Sequence, residues 1–149
     1  MYTPHTVTLY NVTEDPTTLA LTFNVTILEG VFLDIGKASH IAKSGLENAD
    51  EVKLYVPFSV SAKDATTGNE KTYLDPKDYR YSLEKSSHWT FDPGGQSSGV
   101  DCFFAKGVLI SESGYKYLRE NYDYVFDVTT VDLRDFGSSG MRHWQVGGR

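Results

Sequence analysis

The sequence predicts a mainly β protein: a small β-barrel or sandwich with long loops and one short helix near residues 111–122. Three observations carry that reading. Between Glu51 and Val60, the residues Val52, Leu54, Val56, Phe58 and Val60 alternate with Lys53, Tyr55, Pro57 and Ser59. This is the period of a strand with one buried face. Leu19, Leu21, Phe23, Val25 and Ile27 alternate in the same way with Ala20, Thr22, Asn24 and Thr26. Strand signals then recur at intervals of roughly ten residues, separated by turn residues, as in barrels and sandwiches.

In chain order, Thr6 to Asn11 reads as a first strand and Glu14-Asp-Pro-Thr17 as a turn. Leu19 to Ile27 is the second strand. Gly30 interrupts it, and Val31 to Ile35 resumes apolar character, which predicts a bulge or bend followed by a third strand. The stretch from Glu51 to Val60 is the strand around which the others should pack. Pro57 donates no backbone hydrogen bond, so this strand is expected at an edge, or with its N–H side turned away from a neighbour there. Lys71 to Leu74 is a short strand. Asp75-Pro-Lys-Asp78 is a turn, or one helical turn with Pro in its first position. Trp89 to Phe91 is a brief aromatic strand, and Val100 to Ile110 returns to sheet.

Ser111 to Tyr122 is the helix, with Ser111 or Ser113 as its cap and Tyr115, Leu118 and Tyr122 at helical spacing. Tyr124 to Leu133 has apolar residues on both faces, which predicts a strand covered on both sides. Phe136 to Gly140 is a turn and Arg142 to Val146 a closing strand. Three polar stretches, 36–50, 62–70 and 92–99, are projecting loops of a single domain spanning 1–149.

At 149 residues, with 40% hydrophobic and 13% aromatic content, the chain is long enough to bury one proper core. Its formal net charge of −6 argues against a protein that wraps nucleic acid with a basic face, because such binding depends on Lys and Arg displacing counterions. It is compatible with a protein that surrounds a polyanion and lets it pass. One cysteine, Cys102, leaves no intrachain disulfide, fits a reducing compartment, and reads as a small buried hydrophobe beside Phe103. No apolar run reaches the roughly 18–20 residues of a membrane span, and the polar start is not that of a signal peptide. Asn11-Val-Thr13 and Asn24-Val-Thr26 match a glycosylation pattern by chance.

No catalytic chemistry, cofactor motif or metal motif is legible. His5, His40, His88 and His143 form neither His-x-His nor His-Glu-x-x-His, so a metal site would need convergence in space. The acidic pairs Glu14/Asp15, Asp50/Glu51 and Asp132/Asp135 lie at turns and strand ends, where solvated carboxylates are ordinary. The glycine-rich stretch from Asp92 to Gly99 lacks the Lys-Ser/Thr ending of a phosphate loop and reads as a mobile loop. The unusual cluster is Arg142-His143-Trp144, where Arg and Trp suit either an anchor on a partner or a closing strand whose Trp caps the core. The loops add His40, Lys63, Asn69 and Gln96 as candidate contact residues. Trp89 and Phe91 read as core.

Three stretches, taken together, carry a resemblance. They are Lys43-Ser-Gly-Leu-Glu-Asn-Ala-Asp-Glu-Val-Lys-Leu-Tyr-Val-Pro57, Ser111-Glu-Ser-Gly-Tyr115 through Asn121-Tyr-Asp123, and Asp135-Phe-Gly-Ser-Ser-Gly-Met-Arg-His-Trp-Gln-Val-Gly-Gly148. They resemble a family of small proteins encoded in the structural-gene clusters of tailed phages and in prophages of Firmicutes. The order of elements is similar to that of head-closure (head-to-tail connector) proteins. The resemblance implies a non-enzymatic β-barrel subunit assembled in a ring of twelve below the portal. Such a ring would continue the DNA channel, pass double-stranded DNA without specific binding, and dock the tail. The implied partners are a portal or adaptor protein, a tail protein and copies of the chain itself, with no membrane involved, in a virion assembled in the bacterial cytoplasm. A tail-completion, tail-terminator or minor capsid protein is the neighbouring alternative. A carbohydrate- or ligand-binding β-domain, with Trp89 and Trp144 as stacking platforms, is the alternative of another class.

Overall fold

A computed structural model describes residues 2–35, 52–94 and 99–149. The protein is mainly β, as the alternation predicts. Its long strands are β1 (His5–Glu14), β2 (Leu21–Asp34), β3 (Val52–Pro57), β7 (Val100–Lys106), β8 (Val125–Arg134) and β9 (His143–Gly148). The pairing of these six is circular. β1 pairs with β2, β2 with β3, β3 with β9, β9 with β8, β8 with β7 and β7 with β1, all antiparallel. Between barrel and sandwich, the pairing therefore selects a closed barrel. Closure gives each of these six strands a neighbour on both sides over part of its length. A barrel this narrow is filled by side chains and has no lumen of its own.

Each hairpin has a local cause. Between β1 and β2, the Asp15 carboxylate accepts hydrogen bonds from the Thr17 and Thr18 N–H groups at 2.7 and 3.1 Å, and Leu19 adopts a left-handed conformation at φ 60°. These bonds hold the Asp15 carboxyl below the ordinary range. At Gly30 (φ +86°) the register against β1 slips by one residue, the expected bulge. Because β1 stays paired on both sides of it, Val31 onward continues β2 and does not form a separate third strand.

β3 lies between β2 and β9, so it is not an edge strand. Pro57 is accommodated by the other route. Pairing with β2 stops at Phe32↔Tyr55, just short of Gly30, and Pro57 retains only its β9 neighbour His143. After a turn, β4 (Ser61–Asp64) resumes along β2, and a hairpin brings Lys71 back against Ala62. The chain then forms β5 (Thr72–Tyr73), α1 (Pro76–Tyr81) with Pro76 in its first turn, and β6 (His88–Trp89), which pairs in parallel with β5.

β7 ends at Lys106, short of the expected Ile110, because Gly107 turns at φ +78°. From there the chain is strapped over the outside of β1. The Thr8 hydroxyl donates to the Gly107 carbonyl at 2.7 Å and accepts from the Leu109 N–H at 2.9 Å, and the Tyr10 hydroxyl donates to the Leu109 carbonyl. The expected helix is shorter than its sequence pattern. α2 covers Tyr115–Asn121, starts at Gly114, and gains no capping bond from Ser111 or Ser113. Its Leu118 is buried with Tyr10, Val25, Phe103 and Val125 in a second core outside the barrel wall. α2 thus covers the outer face of only the first part of β8, and the strand's later outward residues are exposed. The prediction of cover on both sides holds for half the strand.

The main core fills the barrel with Val7, Leu9, Leu28, Val31, Leu54, Val56, Phe104, Phe126, Val146 and their neighbours. Cys102 is buried there as expected, and burial pushes its thiol pKa far up. Asn11 and Asn24, both in glycosylation patterns, are buried and engaged in hydrogen bonds, so neither side chain is free to carry a glycan.

Candidate functional site

The residues singled out in the sequence separate by strand parity. On β9, Trp144 points inward. It packs against Phe58, Tyr73, Trp89 and Phe91, with ring centroids 4.6, 4.4, 5.4 and 6.2 Å away. At 7% exposure it is a core residue, so the interface reading of Trp144 is replaced by the core-cap reading. Trp89 and Phe91 are core as expected. Arg142 and His143 stay outside the core. Arg142 is exposed, with its Nε 3.3 Å from Asp135 Oδ1 across the β8–β9 hairpin. An ion pair this exposed contributes little stability and leaves the guanidinium available. The His143 Nδ1–H donates to the Met141 carbonyl at 2.8 Å, which fixes the ring against the hairpin.

Lys63 and Asn69 are exposed on the hairpin that follows β3, an element the sequence anticipated. His40 and Gln96 lie outside the described residues, as do loop 36–50 and the tip of loop 92–99. The start of that last loop is fixed rather than free. Asp92 is buried and accepts two hydrogen bonds from Arg80, each 3.1 Å, together with the Gly94 N–H at 2.9 Å.

The barrel brings together a group that the sequence did not reveal. His5, Phe32, Tyr55 and His143 form a row of rings across the outer face of β1, β2, β3 and β9. Successive centroids are 5.6, 5.8 and 5.9 Å apart, and Tyr2 lies 6.2 Å from Phe32. All four row residues are half-buried. The His5 Nδ1 accepts the Leu33 N–H at 3.0 Å, so in its neutral form this ring carries its proton on Nε2. α2 and the strapped segment cover a different part of the wall, over Tyr10 of β1, Val25 of β2, Phe103 of β7 and Val125 of β8. Beyond the row, the β8–β9 hairpin exposes Leu133, Phe136 and Met141. A second exposed apolar group, Val108, Tyr122 and Tyr124, lines one shallow cleft beside α2.

Acidic groups also meet on the covered flank. Burial, and then the Asp101 carboxylate, raise the Asp127 pKa to about 6, against the opposing charges of Arg149 and Arg119. Asp101 is likewise raised, by burial. Among the described residues no three His, Cys, Asp or Glu side chains converge as metal ligands would.

Fold and surface define a small closed β-barrel with a row of rings on its outer face. The chain belongs to a family of unknown function (DUF6751), whose family model matches residues 2–149. No curated protein and no solved structure matches it.

Proposed function

We propose that the chain is a non-enzymatic assembly subunit of the head–tail junction of a tailed phage. It would form a homo-oligomeric ring below the portal that continues the DNA channel and receives the tail. The observation that carries this reading is the half-buried row of rings on the outer face of a closed barrel. Because each of the six strands already has a neighbour on both sides over part of its length, association through the barrel wall would draw mainly on side chains. Aromatic rings give large contact area at low entropic cost. A head-to-tail ring requires two different surfaces on each subunit. The His5–Phe32–Tyr55–His143 row and the apolar group beside α2 are two separate patches of the barrel surface and suit that requirement. Because the barrel is filled by side chains, the channel of such a ring would run between subunits. The net charge of −6 suits a channel wall past which DNA slides without adhering.

Light scattering tests the reading. The protein alone should be a monomer. Mixed with the portal protein of its own gene cluster, it should co-migrate in a complex of ring size. Monomer in both samples contradicts the portal-adaptor role and moves weight to a tail-completion, tail-terminator or minor capsid role. The carbohydrate-binding alternative loses its two platforms, since Trp89 and Trp144 are buried. It would have to use the outer row instead, and sugar titration of the protein's fluorescence checks it directly.

A further inference from the structure

One end of the barrel, beneath the hairpin after β4, holds a polar group that the outer flank does not use. The Lys71 side chain is 1% exposed. Its Nζ donates to Asn24 Oδ1, to Thr26 Oγ1 at 3.1 Å and to the Val25 carbonyl at 3.3 Å, and it lies 3.3 Å from Asp64 Oδ1. A buried ammonium is costly unless paired. Desolvation lowers the Lys71 pKa below the ordinary lysine value, against the opposing pull of Asp64, and so favours the neutral, nucleophilic amine.

The partners are held in place. Asp64 Oδ2 accepts the Thr66 and Thr67 N–H groups at 3.1 and 2.7 Å, which leaves Oδ1 to face Lys71. The Asn24 carboxamide is oriented by Nδ2, which donates to the Tyr79 hydroxyl at 2.7 Å and to the Lys85 and His88 carbonyls at 2.7 and 2.8 Å. Oδ1 is one carbonyl bond, about 1.2 Å, from Cγ. The amine therefore rests beside an amide carbon, with a carboxylate against it and three acceptors around the nitrogen that would leave.

We propose that Lys71 and Asn24 become joined by an isopeptide bond within the chain, assisted by Asp64. The Asp64 carboxylate takes a proton from the Lys71 ammonium, and the neutral Nζ attacks Cγ of Asn24. The Nζ–Cγ bond forms and the Cγ–Nδ2 bond breaks, while the protons shed by Nζ pass through Asp64 to Nδ2. The nitrogen departs as ammonium, the product is a secondary amide, and Asp64 ends ionised as it began. No oxidant or cofactor enters the balance. Holding the two reacting groups in contact supplies the orientation that an uncatalysed amide exchange lacks. The bond would tie β2 to the end of the hairpin, 47 residues apart in sequence, and constrain the unfolded chain as a disulfide does. It would do so in a protein whose single cysteine permits no internal disulfide.

Intact mass spectrometry of the folded, full-length protein tests this. After allowance for Met1 removal, the mass should fall about 17 Da below the sequence mass, which is the mass of ammonia. Digestion should yield one branched peptide joining the segments that carry Asn24 and Lys71. Lys71→Met and Asn24→Ala should each restore the full mass of their sequences, and Asp64→Ala should convert slowly or not at all. Wild-type protein at its full sequence mass would overturn the proposal. The same loss confined to an unbranched peptide, as in succinimide formation at an asparagine, would overturn it too. Because the wild-type chain is the primary sample, the test does not depend on the variants folding.

Discussion

Two groups of aromatic rings occupy opposite sides of the same barrel wall. Inside are Trp144, Trp89, Phe91, Tyr73 and Phe58, and outside are His5, Phe32, Tyr55 and His143. His143 and Trp144 are adjacent in sequence yet belong to different groups, because successive strand side chains point to opposite faces. Residue type alone does not separate the two sets. The inner rings replace water with one another and stabilise the fold, whereas the outer rings retain part of their exposure and are available to a partner. Burial, rather than aromatic character, divides the rings that hold the core from those that a partner could reach.

The sharpest way to break this comparison is to cut one ring from each side. Trp144→Ala should cost about 3–5 kcal/mol of unfolding free energy, the range for losing a large buried side chain and leaving a cavity. Urea denaturation followed by circular dichroism reads it, and a loss under 1 kcal/mol would refute the inward placement. Overpacking the same interior is the next largest effect. A Cβ on Gly148 would sit 3.0 Å from atoms of both Phe104 and Val52 and 3.1 Å from Phe126. Gly148→Ala is therefore expected to cost about 1–3 kcal/mol, and an unchanged midpoint in the same titration would show that the barrel end is looser than described.

On the outer side, Phe32→Ala combined with Tyr55→Ala should change stability by only about 1 kcal/mol, because both side chains are partly solvated already. The same pair should abolish assembly with the portal. A fold that collapses instead would place the outer row in the structural group.

The smallest effect concerns the covered flank. The Asp127 pKa is raised to about 6 from an ordinary value of 3.8, so its neutral form is favoured in the folded state. A raised folded-state value contributes stability below the unfolded pKa and loses it as pH rises through the folded one. Stability should therefore fall modestly between about pH 4 and pH 6 on this account, and Asp127→Asn should flatten that slope. Thermal unfolding across the window checks it, and an unaltered slope in the variant would assign the titration elsewhere, with Asp101 next in line.

Much of the fold is legible in sequence because alternation is a local signal. The strand at Val52–Pro57, the bulge at Gly30 and the hairpin carrying Lys63 and Asn69 all follow from neighbouring residues. What escapes depends on register. Pro57 suggests either an edge or an N–H side turned away from a neighbour, and the sequence does not reveal which, because it does not show that the β2 bulge falls opposite Pro57. The outer row is invisible for a related reason. Tyr55 sits among the outward positions of an alternating strand, and only pairing with Phe32 makes the two neighbours. Lys71, at the start of a short strand, carries no local signal of the burial it gains when the hairpin folds it under the barrel end. Of the sequence-selected contact residues, Arg142, His143, Lys63 and Asn69 lie at or near the surface and Trp144 does not.

The central claim is that the outer aromatic row mediates assembly. Light scattering of the wild-type protein and the Phe32→Ala/Tyr55→Ala variant, each alone and each mixed with the portal protein, tests it most directly. The account predicts monomers alone, a ring-sized complex for wild type on mixing, and none for a variant that remains folded. A folded variant that assembles as well as wild type would contradict it.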